Sequence, residues 1–345
     1  MSQFSIQSEF RYEIVQLLYE GSMGAVYEAE QHGAQGFVKN IAIKIIKPTM
    51  AGQPQFIENF IGEAKLVADL IHTNIVQIYH LGESSRMMYS KLGSNTAVLN
   101  RYVTPGAQVY YMAMELIRGV NLTEFCRQLA VKKQPLPIPL AVFIVSRVAR
   151  GLAYAHSKKD ADGKPLGLVH RDITPKNIMI AFEGDTKLID FGIAKAKGLG
   201  IVKEGEEVTG KPEYMSPEQS DFKVTDGRSD IFSAGIVLLE LLIGRNPFSA
   251  ATPAMARERI MKLPLPDFTK VREGIDESLD KIIHRALSRD PAGRYQTADE
   301  FMKALEFQIY GKGYGPTNET IGKYIRELFD VDVVPAAQEQ PAAAT

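Results

Sequence analysis

Near residue 117 the hydrophobic period of this chain changes, which excludes any fold built from one kind of layer. From Phe10 to about Tyr111, apolar and β-branched runs read as strands: Tyr12 to Leu18, Ala25 to Ala29, Ile41 to Ile46, Ile75 to Leu81 and Val109 to Glu115. One helical stretch lies between Gln55 and Ile71. Beyond Ile117 the period is helical, through Leu122 to Leu129, Leu140 to His156, Asp230 to Leu242, Ala254 to Lys262, Leu279 to Leu287 and Ala298 to Tyr310. The chain is therefore expected to be α+β, with a small sheet carrying one helix and a larger, mainly helical part.

Two short strand-like runs, Ile178 to Phe182 and Thr186 to Ile189, interrupt the helices; Glu183-Gly184-Asp185 between them reads as a hairpin turn. Residues 84–108 are polar and unpatterned and read as a long exposed loop. Thr317 to Phe329 reads as a short helix opened by Thr317 or Asn318, with Ile321, Tyr324, Ile325 and Leu328 on one face. It is expected to dock on the larger part, with partner binding as the alternative. The low-complexity tail, 334–345, is expected to be disordered.

Charge narrows the function classes. Forty basic against 41 acidic residues leave a net charge of -1, so no overall field favours nucleic acid or an anionic membrane. Residues 1–9 lack the basic start and apolar run of a secretion signal. The apolar run Ile231 to Ile243 contains Ser233 and Glu240 and is shorter than the ~20 residues that span a bilayer, so no membrane span is expected. A single cysteine, Cys126, fits a reducing, cytoplasmic compartment.

The polar residues point to phosphate chemistry. In Tyr19-Glu20-Gly21-Ser22-Met23-Gly24-Ala25-Val26, bare backbone at Gly21 and Gly24 can close over a polyphosphate, although an ordinary glycine hairpin looks the same. Lys44 ends the run Ile41-Ala42-Ile43. Phe56, Phe60, Glu63, Val67 and Ile71 form a stripe that puts Glu63 on an apolar helix face. A carboxylate buried there without a partner costs several kcal/mol, and Lys44 is the obvious partner. His170-Arg171-Asp172-Ile173-Thr174-Pro175-Lys176-Asn177 precedes the hairpin and Asp190-Phe191-Gly192 follows it. Two carboxylates and an amide brought together by two strands form a hard-cation site of the type Mg²⁺ takes alongside phosphates.

These residues, in this order, with Ser216-Pro217-Glu218, Asp230 and Arg294 behind them, resemble the eukaryotic-like protein kinase family, especially bacterial serine/threonine kinases. The turn Asp160 to Lys164 is similar to one in myxobacterial-type members. The resemblance implies a two-lobed kinase fold: an antiparallel-sheet N-lobe over residues 10–116, a helical C-lobe over 117–312 and an extension helix within 313–333. It implies ATP with Mg²⁺ (Mn²⁺ as a substitute), protein substrates with Ser/Thr acceptors, and homodimerisation that allows autophosphorylation in trans.

The family's roles carry over as follows. Lys44, paired to Glu63, would grip the α- and β-phosphates; Asp190 and Asn177 would hold metal; and Asp172 would orient the attacking hydroxyl and accept its proton. Met114 would be the gatekeeper, Glu115 and Ile117 would offer backbone to adenine, and Val26, Ala42 and Met179 would sandwich the ring. Asp230 would brace the catalytic loop, or simply cap its helix, and Arg294 would pair with Glu218.

Three departures stand out. Tyr19 occupies the usual place of the first loop glycine. Thr174 and Lys211 stand where the family has lysine and threonine, so either Lys211 reaches the γ-phosphate in exchange or Lys176 takes that task, as an arginine does there in many tyrosine kinases. Thr209 is the lone Ser or Thr between Asp190 and Gly210, behind Glu204, Glu206 and Glu207. Either it is phosphorylated to dock on Arg171, or the glutamates already neutralise that arginine. The rival to a catalyst is a pseudokinase that binds nucleotide as a scaffold. A small-molecule kinase is disfavoured by the peptide platform Gly210 to Glu218.

Overall fold

The computed structural model describes residues 11–21, 24–46, 54–84, 109–191 and 211–331, without the side chains of Pro54, Gln55, Phe56, Asn59, Glu63, Leu66 and Ser84. The 85–108 part of the expected loop, Gly192, Thr209, the three glutamates before it, the N-terminal lead and the tail from 332 lie outside them.

Five strands, β1 (Arg11–Glu20), β2 (Gly24–His32), β3 (Val38–Ile46), β4 (Ile78–Ser84) and β5 (Val109–Met114), form an antiparallel sheet in the order β1-β2-β3-β5-β4. Alternation sorts its faces: Ala25, Tyr27, Ala29, Ile41, Ile43, Ile45 and Ala113 pack together on one side. The register pairs Val26 with Lys44 and Ala42 with Met114, so these four share the opposite face. Helix α1 (Pro54–Ala68) buries Ile57, Phe60, Ala64 and Val67. The expected stripe is corrected at its end: the helix stops at Ala68, Leu70 turns into the core, and Ile71 is 74% exposed.

The helical lobe comprises α2 (Leu122–Lys132), α3 (Ile138–Ser157), α4 (Pro217–Ser220), α5 (Gly227–Ile243), α6 (Pro253–Lys262), α7 (Glu277–Ala286), α8 (Ala298–Tyr310) and α9 (Asn318–Phe329). Helix α2 starts at a reciprocal capping box, Asn121 with Glu124, and ends at Lys133 in the left-handed region. Among the described residues, α3 is the one helix long and apolar enough to cross a membrane, with a mean hydropathy of 1.5 over its window. It is instead the central core helix, packed against α5 and α8 with twelve residues buried. Helix α5 begins three residues earlier than expected because Asp226, not Asp230, accepts the capping bond from Arg228.

A second sheet, in the order β6-β7-β8, lies between the lobes and consists of β6 (Gly119–Asn121), β7 (Ile178–Ala181) and β8 (Thr186–Leu188). Helix α9 seats on its hairpin turn, where a Cβ on Gly184 would lie 1.8 Å from the Asn318 carbonyl oxygen. Asn318 Nδ2 donates to Asp185 at 2.7 Å and Arg326 to the Phe182 carbonyl oxygen, while Ile321, Ile325 and Leu328 are buried.

Candidate active site

The β7–β8 hairpin gathers the polar residues that the sequence separates. Pro175 fixes the start of a tight turn in which the Asn177 N–H donates to the Thr174 carbonyl at 3.0 Å. The Asn177 carbonyl accepts the Ile189 N–H at 3.0 Å, tying the two flanks together. Asn177 Nδ2 donates to the Asp172 carbonyl oxygen at 2.9 Å and to its carboxylate at 2.8 Å. The remaining polar atom of that amide is Oδ1, an oxygen that Mg²⁺ accepts as a ligand.

Asp190 lies across from them, with Lys44 Nζ at 2.7 Å. Burial pushes its carboxyl up, but Lys44, with Lys176 and His170 beyond, reverses this and holds it below the usual carboxylate range. Asp190 and Arg171 both sit in the left-handed region, at φ 53° and 62°, strain that the neighbouring bonds must sustain. At Arg171 those bonds come from Asp230, whose two carboxylate oxygens accept the His170 N–H at 2.7 Å and the Arg171 N–H at 2.8 Å, with His156 Nε2 at 2.8 Å. Asp230 thus braces the loop, the first of its two expected readings. Gln219 adds a bond to the Arg171 carbonyl at 3.0 Å.

His170 is fully buried, and desolvation lowers its pKa despite Asp230, Asp172 and Asp190 nearby. A neutral ring explains its contacts: Nε2 lies 3.2 Å from the Ile189 carbonyl as donor, and Nδ1 accepts the Asp172 N–H at 3.3 Å. One imidazole thereby spaces Asp172 from the residue preceding Asp190.

Ala42, Val76 and Met114 form an apolar cluster with Val26, Leu116, Ile117 and Ile189, the kind of surface an aromatic base packs against. Ile189, Val76 and Leu116 were not among the residues picked from the sequence, though Ile189 directly precedes Asp190. Met179 is half-buried on the face of β7 opposite Ile178 and Ile180. The Glu115 side chain holds Lys187 at 2.8 Å. Gly24 has a structural reason to be glycine, since a Cβ there would lie 2.2 Å from the Ile45 carbonyl oxygen. Gly21 N–H bonds the Gly24 carbonyl at 2.8 Å and closes the loop.

The remaining candidates divide as follows. Lys211 Nζ stands 5.6 Å over the Tyr214 ring, and its charge acts on Glu240. Lys176 acts on Asp190. Thr174 is buried in the catalytic loop. Arg171 Nε donates to Thr225 Oγ1 at 3.1 Å. Glu63 stands in α1 between Phe60 and Val67, its side chain outside the described residues. Behind the site, Arg294, with no exposed side-chain surface, pairs two nitrogens with the Glu218 carboxylate at 2.7 and 2.8 Å. Burial raises the Glu218 pKa, but the Arg294 and Ser229 bonds hold it below its ordinary value.

A five-stranded sheet followed by a helical lobe, with Lys44 paired to Asp190 and Asn177 to Asp172 around the β7–β8 hairpin, defines a two-lobed nucleotide-dependent phosphotransferase. The chain belongs to the protein kinase domain family, which it matches over residues 12–305. It is similar to "Tyrosine-protein kinase MasK" of Myxococcus xanthus, 32% identical over 334 residues, covering 97% of this chain and 48% of that protein. It is also similar to "Serine/threonine-protein kinase PrkC" of Bacillus subtilis, 32% identical over 341 residues, covering 97% and 47%. The chain thus spans less than half the length of either relative. The crystal structure of the Mycobacterium tuberculosis PknI kinase domain superposes with a TM-score of 0.59 at 25% identity, covering 89% of this chain and 99% of that one.

Proposed function

We propose that this chain transfers the γ-phosphoryl group of ATP to serine or threonine hydroxyls of proteins, its own copies included. The observation that carries the reading is the Asp172–Asn177–Asp190 cluster with Lys44, four groups from three segments converging on one spot. Asp172, held by the Asn177 amide, orients the hydroxyl and accepts its proton. Lys44 neutralises phosphate charge. Asp190 and the Asn177 amide oxygen would hold Mg²⁺, which would supply charge neutralisation for the phosphates. Val26, Ala42, Met114, Ile117 and Ile189 take the base, with Glu115 and Ile117 backbone at its edge.

Of the two lysine readings we favour Lys176 as the cation beside the γ-phosphate, because its charge falls on Asp190 while that of Lys211 falls on Glu240. Thr209 is proposed as the site modified in trans, with Arg171 as its dock, and the cytoplasm as the compartment. Similarity to a tyrosine-protein kinase over 97% of this chain favours tyrosine acceptors as the second reading.

Radiolabelled ATP with mixed protein substrates and phosphoamino-acid analysis tests the proposal. Label on serine and threonine, reduced about 10²–10⁴-fold by Asp172→Asn, supports it. Label on tyrosine alone moves the assignment to the second reading, and equal label with both proteins removes catalysis and leaves a nucleotide-binding scaffold. Lys176→Ala is expected to lower kcat far more than Lys211→Ala; the reverse order restores the exchanged-lysine reading.

A further inference from the structure

We propose that Tyr19, at the end of β1, is the positioning residue for Lys176, presenting its ammonium to the phosphate site from across the cleft. The inference rests on Lys176 being the phosphate-facing cation. Three observations carry it. The β1–β2 register shifts between Leu17 and Tyr19, and this sets Tyr19 opposite Val26, a member of the cleft-facing cluster. The ring lies beneath the loop, its Cε1 2.9 Å and its hydroxyl 3.3 Å from where a Cβ on Gly21 would stand, so Gly21 must be bare to admit it. Lys176 Nζ lies 4.6 Å from the ring centroid, although the two residues belong to different lobes.

A lysine four residues past the catalytic aspartate has a flexible stem and many rotamers. An aromatic face 4.6 Å away restricts that freedom by attracting the cation, yet more weakly than a phosphate does through charge-assisted bonds. The ring therefore parks the ammonium over its face and yields it when a γ-phosphate arrives. A glycine at residue 19 has no ring to do this, so Tyr19 and Lys176 form one device.

The test exploits a chain without tryptophan. Tyr19→Trp installs a single reporter with a stronger cation-binding face. Its emission is expected to differ between the Lys176 protein and a Lys176→Met background without nucleotide. A non-hydrolysable ATP analogue should shift it more than ADP does, and only when Lys176 is present. Kinetically, Tyr19→Leu is expected to lower kcat roughly 3–10-fold with a smaller change in KM for ATP, and Tyr19→Phe to restore most of the loss. Emission indifferent to Lys176, or Tyr19→Leu matching the parent in kcat, overturns the proposal. The fluorescence needs binding but no turnover, so it stands apart from failure of the kinase reading, which Asp172→Asn reports.

Discussion

The sheet lobe packs one face of its sheet with eight buried side chains, three of them alanine, whereas the helical lobe packs a larger core, continuous with α1 and Met112 of the sheet lobe, and sets a buried polar network beside it. Asp230, His170, Glu218 and Arg294 all belong to that second lobe, and all are less than a tenth exposed. The His170–Asn177 loop is thus held by buried groups that leave a large penalty if unpaired, while Lys44, Gly24 and Tyr19 ride on strands held chiefly by their ladder bonds to one another. The difference teaches how each side is held: on the proposed function, the proton-accepting side is braced by buried polar pairs and the phosphate-gripping side by sheet pairing.

Removing one partner of the rigid side gives the largest effect. Arg294→Met strands Glu218 as a buried charge and is expected to cost about 3–5 kcal/mol, read as a lowered urea midpoint with an unchanged slope. A loss below about 1 kcal/mol would mean that the network is no stiffer than a surface pair. Next comes a matched pair of glycines. Gly184→Ala drives a Cβ to 1.8 Å from the Asn318 carbonyl oxygen at φ 103°, and Gly24→Ala drives one to 2.2 Å from that of Ile45. The first is expected to lower global stability by roughly 1–3 kcal/mol as α9 lifts. The second should chiefly raise KM for ATP. Equal effects on both readouts would erase the distinction between lobes.

Acid sharpens the comparison. The folded Glu218 carboxyl lies below its ordinary 4.5, so its contribution is complete above that pH and is lost as pH falls through the lower folded value. Stability measured from pH 6 downward should therefore begin to fall near about 4.5, and a double variant, Glu218→Gln with Arg294→Met, should flatten that part of the profile. Smallest of all, Ile43→Val in the sheet is expected to cost about 0.5–1.5 kcal/mol, measured by thermal melting.

Much of this was legible beforehand. The period change anticipated a sheet followed by helices, and all fifteen expected helices and strands lie within three residues of their observed bounds, because apolar spacing is a local property. The hairpin and its flanking triplets were legible for the same reason. Strand β6 was not, since three residues carry no period. Nor was His156, which takes its meaning from Asp230, 74 residues away.

By itself, the sequence determined the alternation that turns Ala42 and Lys44 to one face, the turn chemistry at Pro175 and Glu183-Gly184-Asp185, and the chemical types assembled for phosphate and metal. Tertiary structure alone decided which groups meet. It placed Asp230 under the His170–Arg171 backbone rather than at a helix cap, put Lys211 over the Tyr214 ring, and brought the Tyr19 ring to Lys176. The reason is physical: periodicity and turn preference act over a few bonds, but a cation chooses its partner through space, where separation along the chain has no influence.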